Sequence, residues 1–241
     1  MLFHNIPLIL IASAVLPAIF LLVKIYKADK LDKEPKGLLV SLVLYGILST
    51  GIAIAVERIG SLLLVRSFPE DSLYYNIILY FGIVAFGEEG AKYILLKKRT
   101  WNSMFFNCQF DGVVYAVYVS LGFALWENIG YVTMYGFSTA MVRAVTAVPG
   151  HACFGVFMGT WYGIAKRYEG QRKYRKSALC RTLALLLPAL THGFYDFAAT
   201  DERLHKLFAI YILIMFLIAY RLVKHISEHD QYIAQPNFPF V

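Results

Sequence analysis

Several polar side chains stand inside stretches of this 241-residue sequence that are otherwise apolar: Glu88, Glu89, Lys92, Glu127, Asn128, Arg143, His151, His192 and Asp196. In Phe86-Gly-Glu-Glu-Gly-Ala-Lys92, helical spacing puts Lys92 three residues from Glu89 and four from Glu88, so the ammonium can pair with either carboxylate along one face. Two adjacent carboxylates where little water reaches resist ionising together, which leaves one free to exchange a proton. In Thr191-His-Gly-Phe-Tyr-Asp196, the carboxylate four residues on can fix the ring orientation and tautomer of His192, directly or through a water. His151 follows Pro149-Gly150, where a local helix break would open backbone groups and admit water. Glu127 and Asn128 have no cation within four residues, so the partners of Glu127 must come from other helices, with His151, His192 and Arg143 available, or from a metal or water.

These residue types suit hydrolysis. A glutamate can act as general base toward water while an imidazole orients that water or stabilises a developing oxyanion. Glu127, His151 and His192 can equally supply three zinc ligands, with Glu88 or Glu89 as base, so the cofactor is either none or one Zn2+. Both schemes cleave an amide without a Ser or Cys nucleophile. The sequence has no His-Glu-x-x-His and no Gly-x-Ser-x-Gly, and Cys153, two residues from His151, lies off its helical face.

Positioning such groups falls to membrane helices. Residues of the AVILMFWYC set make up 59% of the chain, charged residues 16%, and the mean hydropathy is +0.57, too little polar surface for a water-soluble ball. A span needs about 20 apolar residues to cross roughly 30 Å of hydrocarbon. Seven stretches qualify, about 6 to 23, 38 to 56, 73 to 96, 113 to 135, 138 to 165, 180 to 199 and 207 to 223. Their length and lack of period-two alternation predict an all-α polytopic bundle forming a single membrane domain over 1–241, rather than a barrel. The first stretch has no basic residue before its apolar core and lysines after it, so it reads as a retained helix. Basic residues crowd the gaps after the first, third, fifth and seventh spans, which predicts the N-terminus outside and the C-terminus in the cytoplasm. The net charge of +7 is therefore matched to lipid headgroups and not to nucleic acid. Gly155, Gly159 and Gly163 continue the four-residue spacing from His151, a small-residue stripe that lets another helix approach closely.

Taken in order, Glu-Glu-x-x-Lys (88, 89, 92), Phe-x-x-x-Glu-Asn (123, 127, 128), His151 and His-x-x-x-Asp (192, 196) resemble the PrsW family of bacterial membrane proteases. The resemblance implies a site-1 endopeptidase of the bacterial cell membrane that cuts a single-span membrane anti-sigma factor on its extracytoplasmic side, starting release of a sigma factor. It places Glu88, Glu89, His151 and His192 in the active site; the spacing and residue types add Lys92, Glu127, Asn128 and Asp196 as supporting residues. The family looks distantly related to CAAX prenyl endopeptidases and bacteriocin-immunity membrane proteins, whose pattern has Glu-Glu followed by Arg and then Phe-x-x-x-His. This sequence departs from that pattern with Lys92 and with Glu127.

Two other classes compete on residue types alone. A proton-coupled or solute-coupled transporter also uses buried Glu/His/Lys relays, but it predicts inverted repeats and paired broken helices, which are not found here. A non-enzymatic scaffold or sensor would use the buried charges only to specify its packing.

Overall fold

The computed structural model describes residues 8–233. The expected start of the first span, at residue 6, lies outside the described residues. The chain forms α1 (Leu8–Ala28), α2 (Lys36–Leu64), α3 (Leu73–Ile77), a π-helical segment (Ile78–Ala85), α4 (Phe86–Thr100), α5 (Gln109–Tyr135), α6 (Phe137–Val145), α7 (Ala147–Gly170), α8 (Tyr174–Thr200), a 3-10 turn (Glu202–Leu204) and α9 (His205–Glu228). No strand occurs among the described residues; Cys108 and Tyr232 make one isolated bridge. Because α3, the π segment and α4 run on continuously, and α6 leads directly into α7, the bundle has the seven rods expected. Six of them are long and apolar enough to cross a membrane. The rod from 73 to 100 is the seventh, its apolar run interrupted by Glu88, Glu89 and Lys92.

Two differences from the sequence reading bear on the polar residues. The helix break expected at Pro149-Gly150 falls at Thr146, between α6 and α7, where φ is −119° and ψ −71°. Proline lacks an amide hydrogen and its ring strikes the carbonyl four residues earlier, here that of Val145, so the disruption lies upstream of the proline, which itself is tolerated in the first turn of α7. Second, α2 continues eight residues past the expected end at 56, carrying Glu57 into the bundle.

Helix α5 is the central rod. It packs most extensively on α7 and α2, and both crossings depend on glycine. A Cβ on Gly159 of α7 would lie 2.4 Å from Gly112 O and 2.5 Å from Val113 Cα, one on Gly46 of α2 would lie 2.1 Å from Val119 O, and one on Gly122 would lie 2.3 Å from Val43 O. The turn from α5 into α6 uses Gly136 at φ +82°, a conformation strained for other residues. At the end bearing most basic residues, the loops are joined by polar contacts: Ser227 donates to Ala28 O, Asn107 Nδ2 to Asp32 at 3.0 Å, and Phe110 N to Asp230 at 3.0 Å. This end also buries Asp29 and Glu34; Tyr115 Oη donates to Glu34 Oε1 at 2.7 Å, while both carboxylate oxygens of Asp29 lack a partner.

Gly159→Ala should therefore lower stability in detergent by about 1–3 kcal/mol through overpacking. Gly51→Ala, on α2 with nothing within 4 Å of the added carbon, should be neutral or stabilising by about 0.5–1 kcal/mol. Equal thermal shifts for the two variants would contradict the close crossing. Burial pushes the Asp29 carboxyl up to about 6, with Lys33 opposing, and pushes Glu34 up to about 7 against its Tyr115 hydrogen bond. The folded chain then holds protons that the unfolded chain releases, so this stability is present below about pH 4 and lost as pH rises through 6 to 7. Thermal scans from pH 4.5 to 8 should show the decline, and Asp29→Asn with Glu34→Gln should flatten it.

Candidate active site

The first two turns of α4 supply Glu88, Glu89 and Lys92, α5 supplies Glu127 and Asn128, α6 Arg143, α7 His151, and α8 His192 and Asp196. All meet in one cluster. At its centre is Lys92, fully buried, whose Nζ lies 2.7 Å from Glu89 Oε1, 3.2 Å from Glu88 Oε2 and 3.2 Å from His151 Nδ1. Phe123, two percent exposed, places its ring 3.8 Å below the ammonium, a cation–π contact on the side that has no acceptor.

Donor bookkeeping fixes one tautomer. An ammonium has three hydrogens and only donates. With three acceptors around Lys92, His151 Nδ1 takes the third hydrogen, so Nε2 carries the ring proton and donates to Glu127 Oε2 at 2.9 Å. Arg143 holds that carboxylate in turn: Nη2 donates to Glu127 Oε2 at 2.7 Å and Nε to Asn128 Oδ1 at 2.9 Å, while Asn128 Nδ2 donates to Ala14 O at 2.8 Å. His192 has the opposite role at Nδ1, where its ring N–H donates to a carboxylate. Its Nδ1 is 2.9 Å from Glu89 Oε1, and its Nε2 is 3.4 Å from Asp196 Oδ2. Each imidazole thus turns Nδ1 toward the buried Glu88/Glu89/Lys92 group, His151 to the ammonium and His192 to Glu89, and Nε2 toward an outer carboxylate. Phe154 stacks on His192 with centroids 4.5 Å apart, and the two imidazoles are edge to face at 5.3 Å.

Metal-ligating atoms of Glu88, Glu89, His151 and His192 lie within 4.8 Å of one another. This group differs from the expected zinc set of Glu127, His151 and His192, because Glu127 is engaged on the far nitrogen of His151 and by Arg143. Two carboxylates and two imidazoles fit a zinc-like ion. Glu89 Oε2 is buried without a hydrogen-bond partner, and the Glu88, Glu89 and Lys92 charges leave a surplus of one negative. A carboxylate on the outer ring nitrogen is the usual way proteins orient a ligating histidine.

One polar residue escaped the sequence reading. Glu57 lies on α2 one turn after Ala53, which packs with Ala91 and Phe123 beneath Lys92. Its charge is within electrostatic reach of Glu127, Lys92, Asp196 and His192. The available signal was the apolar run from Ile59 to Val65 that resumes after Glu57-Arg58, which marks the helix as continuing.

A bundle of membrane-spanning rods around a buried carboxylate–imidazole cluster is a multi-pass membrane protein equipped for hydrolysis. The comparisons agree: the model of the PrsW family of intramembrane metalloproteases matches residues 34–222. Protease PrsW of Halalkalibacterium halodurans is 33% identical over 224 residues, covering 92% of this chain and 99% of that one. Protease PrsW of Oceanobacillus iheyensis is 32% identical over 221 residues, covering 91% and 97%, and that of Bacillus subtilis is 32% identical over 191 residues, covering 79% and 83%. No solved structure matches. The chain belongs to the PrsW family of intramembrane proteases.

The Arg143–Glu127 pair is about one-fifth exposed, which moderates its strength. Arg143→Met should destabilise the protein by about 1–3 kcal/mol by leaving Glu127 without its cation, and adding Glu127→Gln should recover part of that loss. Additive denaturation effects across this double-mutant cycle would mean that the two charges do not interact.

Proposed function

We propose that the protein is an endopeptidase that hydrolyses a peptide bond of a single-span membrane protein, an anti-sigma factor by family resemblance, with water activated by glutamate and assisted by histidine. The observation that carries the reading is the convergence of Glu88, Glu89, His151 and His192 from three helices.

The two glutamates divide the work. Glu89 is sealed, with 0% side-chain exposure and contacts to Lys92 and His192 through one oxygen, so it acts as an anchor. Glu88 keeps 7% exposure and longer contacts, 3.2 Å to Lys92 and 3.9 Å to His192, so it is the carboxylate free to take a proton from water. Lys92 offsets the repulsion between the pair and keeps both oriented. His151 and His192 are held by Glu127 and Asp196 at Nε2, which fixes their rings beside the glutamate pair. Of the four converging residues, Glu89, His151 and His192 would hold a divalent metal, zinc by donor type, leaving Glu88 as the base. When bound, such an ion polarises a carbonyl and acidifies water. The proton removed by Glu88 returns to the leaving amine, as expected of one group acting as base and then acid.

Reconstituted with a single-span substrate, Glu88→Gln, Glu89→Gln, His151→Ala and His192→Ala should each cleave at least about 100-fold more slowly than wild type. Elemental analysis should find about one divalent metal per chain, reduced in Glu89→Gln and His192→Ala. Cleavage at the wild-type rate in all four variants would overturn the enzyme reading. Full activity after complete chelation would leave the glutamate chemistry standing without metal.

A further inference from the structure

The open side of the cluster carries an acidic residue that the proposed chemistry does not use. Buried side chains form the floor: Lys92 and Glu89 are fully enclosed, and Ala53, Ala91 and Phe123 close the space beneath them. Exposure rises through Arg143, Glu127 and Asp196, with side-chain values of 15%, 22% and 23%. Glu57 belongs to this partly exposed rim. It sits one turn beyond Ala53 toward the 65–72 loop, and its neighbour Val56 packs against Gly87, adjacent to the glutamate pair.

Glu57 makes no hydrogen bond or ion pair among the described residues. The nearby fixed cations are committed: Lys92 to Glu88, Glu89 and His151, and Arg143 to Glu127 and Asn128, with its guanidinium over Tyr131 at 3.9 Å. Arg58, next along α2, is exposed. Of the five carboxylates around the cluster, Glu57 alone makes no hydrogen bond or ion pair among the described residues, and it stands on the partly exposed side. A carboxylate at membrane depth without a protein partner points to a charge supplied from outside.

We infer that Glu57 is a specificity-determining subsite that pairs with a lysine or arginine side chain of the substrate segment flanking the scissile bond. This rests on the peptidase reading above and adds the substrate's charge to it. At a partly hydrated rim, such a contact discriminates between partners more than it adds raw affinity, and salt weakens it.

The test uses the full chain in liposomes and single-span peptides that differ at one position, scanned through four residues on either side of the cut and occupied by Lys, Leu or Glu. At one position wild type should prefer Lys over Leu in kcat/KM by about tenfold, less at high salt. Glu57→Gln should abolish that ratio, whatever its effect on overall rate, and Glu57→Lys should invert it in favour of Glu. An equal ratio in wild type and Glu57→Gln overturns this inference alone. No cleavage of any peptide by wild type overturns the peptidase reading and this inference with it.

Discussion

The structure depends on one buried cation. Lys92 has no contact with solvent, and an ammonium at such a position is tolerated only when its hydrogens are all taken and opposite charge stands close by. Its three acceptors come from two helices, and the ring of Phe123, from a third, closes the remaining side. Removing any of them strands a charge where water cannot reach. The ammonium therefore fixes α4 against α5 and α7 together, and it allows two adjacent glutamates to stay side by side. The residues that would be the most costly to bury singly become a rigid core as a set.

Around that centre the polarity is layered. Lys92 and Glu89 are sealed, the two imidazoles are nearly so, and Glu127 and Asp196 reach toward solvent. Each histidine spans two layers, with one nitrogen on the buried group, Lys92 for His151 and Glu89 for His192, and the other on an outer carboxylate. This orientation costs little reorganisation during a reaction, because the groups that set the ring positions are already in place. It also leaves the cluster partly exposed on the side of Arg143, Glu127 and Asp196, while the apolar packing of Phe154 and Phe123 shields the other.

What could be read in the sequence was what a single helix determines. The Glu88/Glu89/Lys92 and His192/Asp196 pairings follow from three- and four-residue spacing, and both are present. The seven rods followed from apolar run length. Convergence between helices has no such local rule, which is why the expected grouping of Glu127, His151 and His192 differs from the group whose ligand atoms meet. Nothing in the run Phe123–Asn128 says that Arg143 will claim Glu127, since that contact requires α6 to fold back at Gly136. Glu57 was hidden by a boundary: a charge pair inside an apolar stretch looks like its end, whereas here the helix continues through it.

Residues with no chemistry of their own decide where the glutamates point. The π-helical segment Ile78–Ala85 precedes Phe86-Gly-Glu-Glu directly, and a wider turn there changes the rotation at which everything after it leaves the segment. Its side chains are received by glycines on both flanks: a Cβ on Gly60 of α2 would lie 2.6 Å from Ile83, and one on Gly193 of α8 would lie 2.6 Å from Phe81. Gly60 is three residues from Glu57, and Gly193 adjoins His192. The segment is therefore wedged between the helices that carry the rim carboxylate and one of the imidazoles. Its fit sets both the azimuth of Glu88 and Glu89 and their distance from His192, so small apolar residues a turn or two away control a polar geometry that the acidic and basic side chains could not establish among themselves.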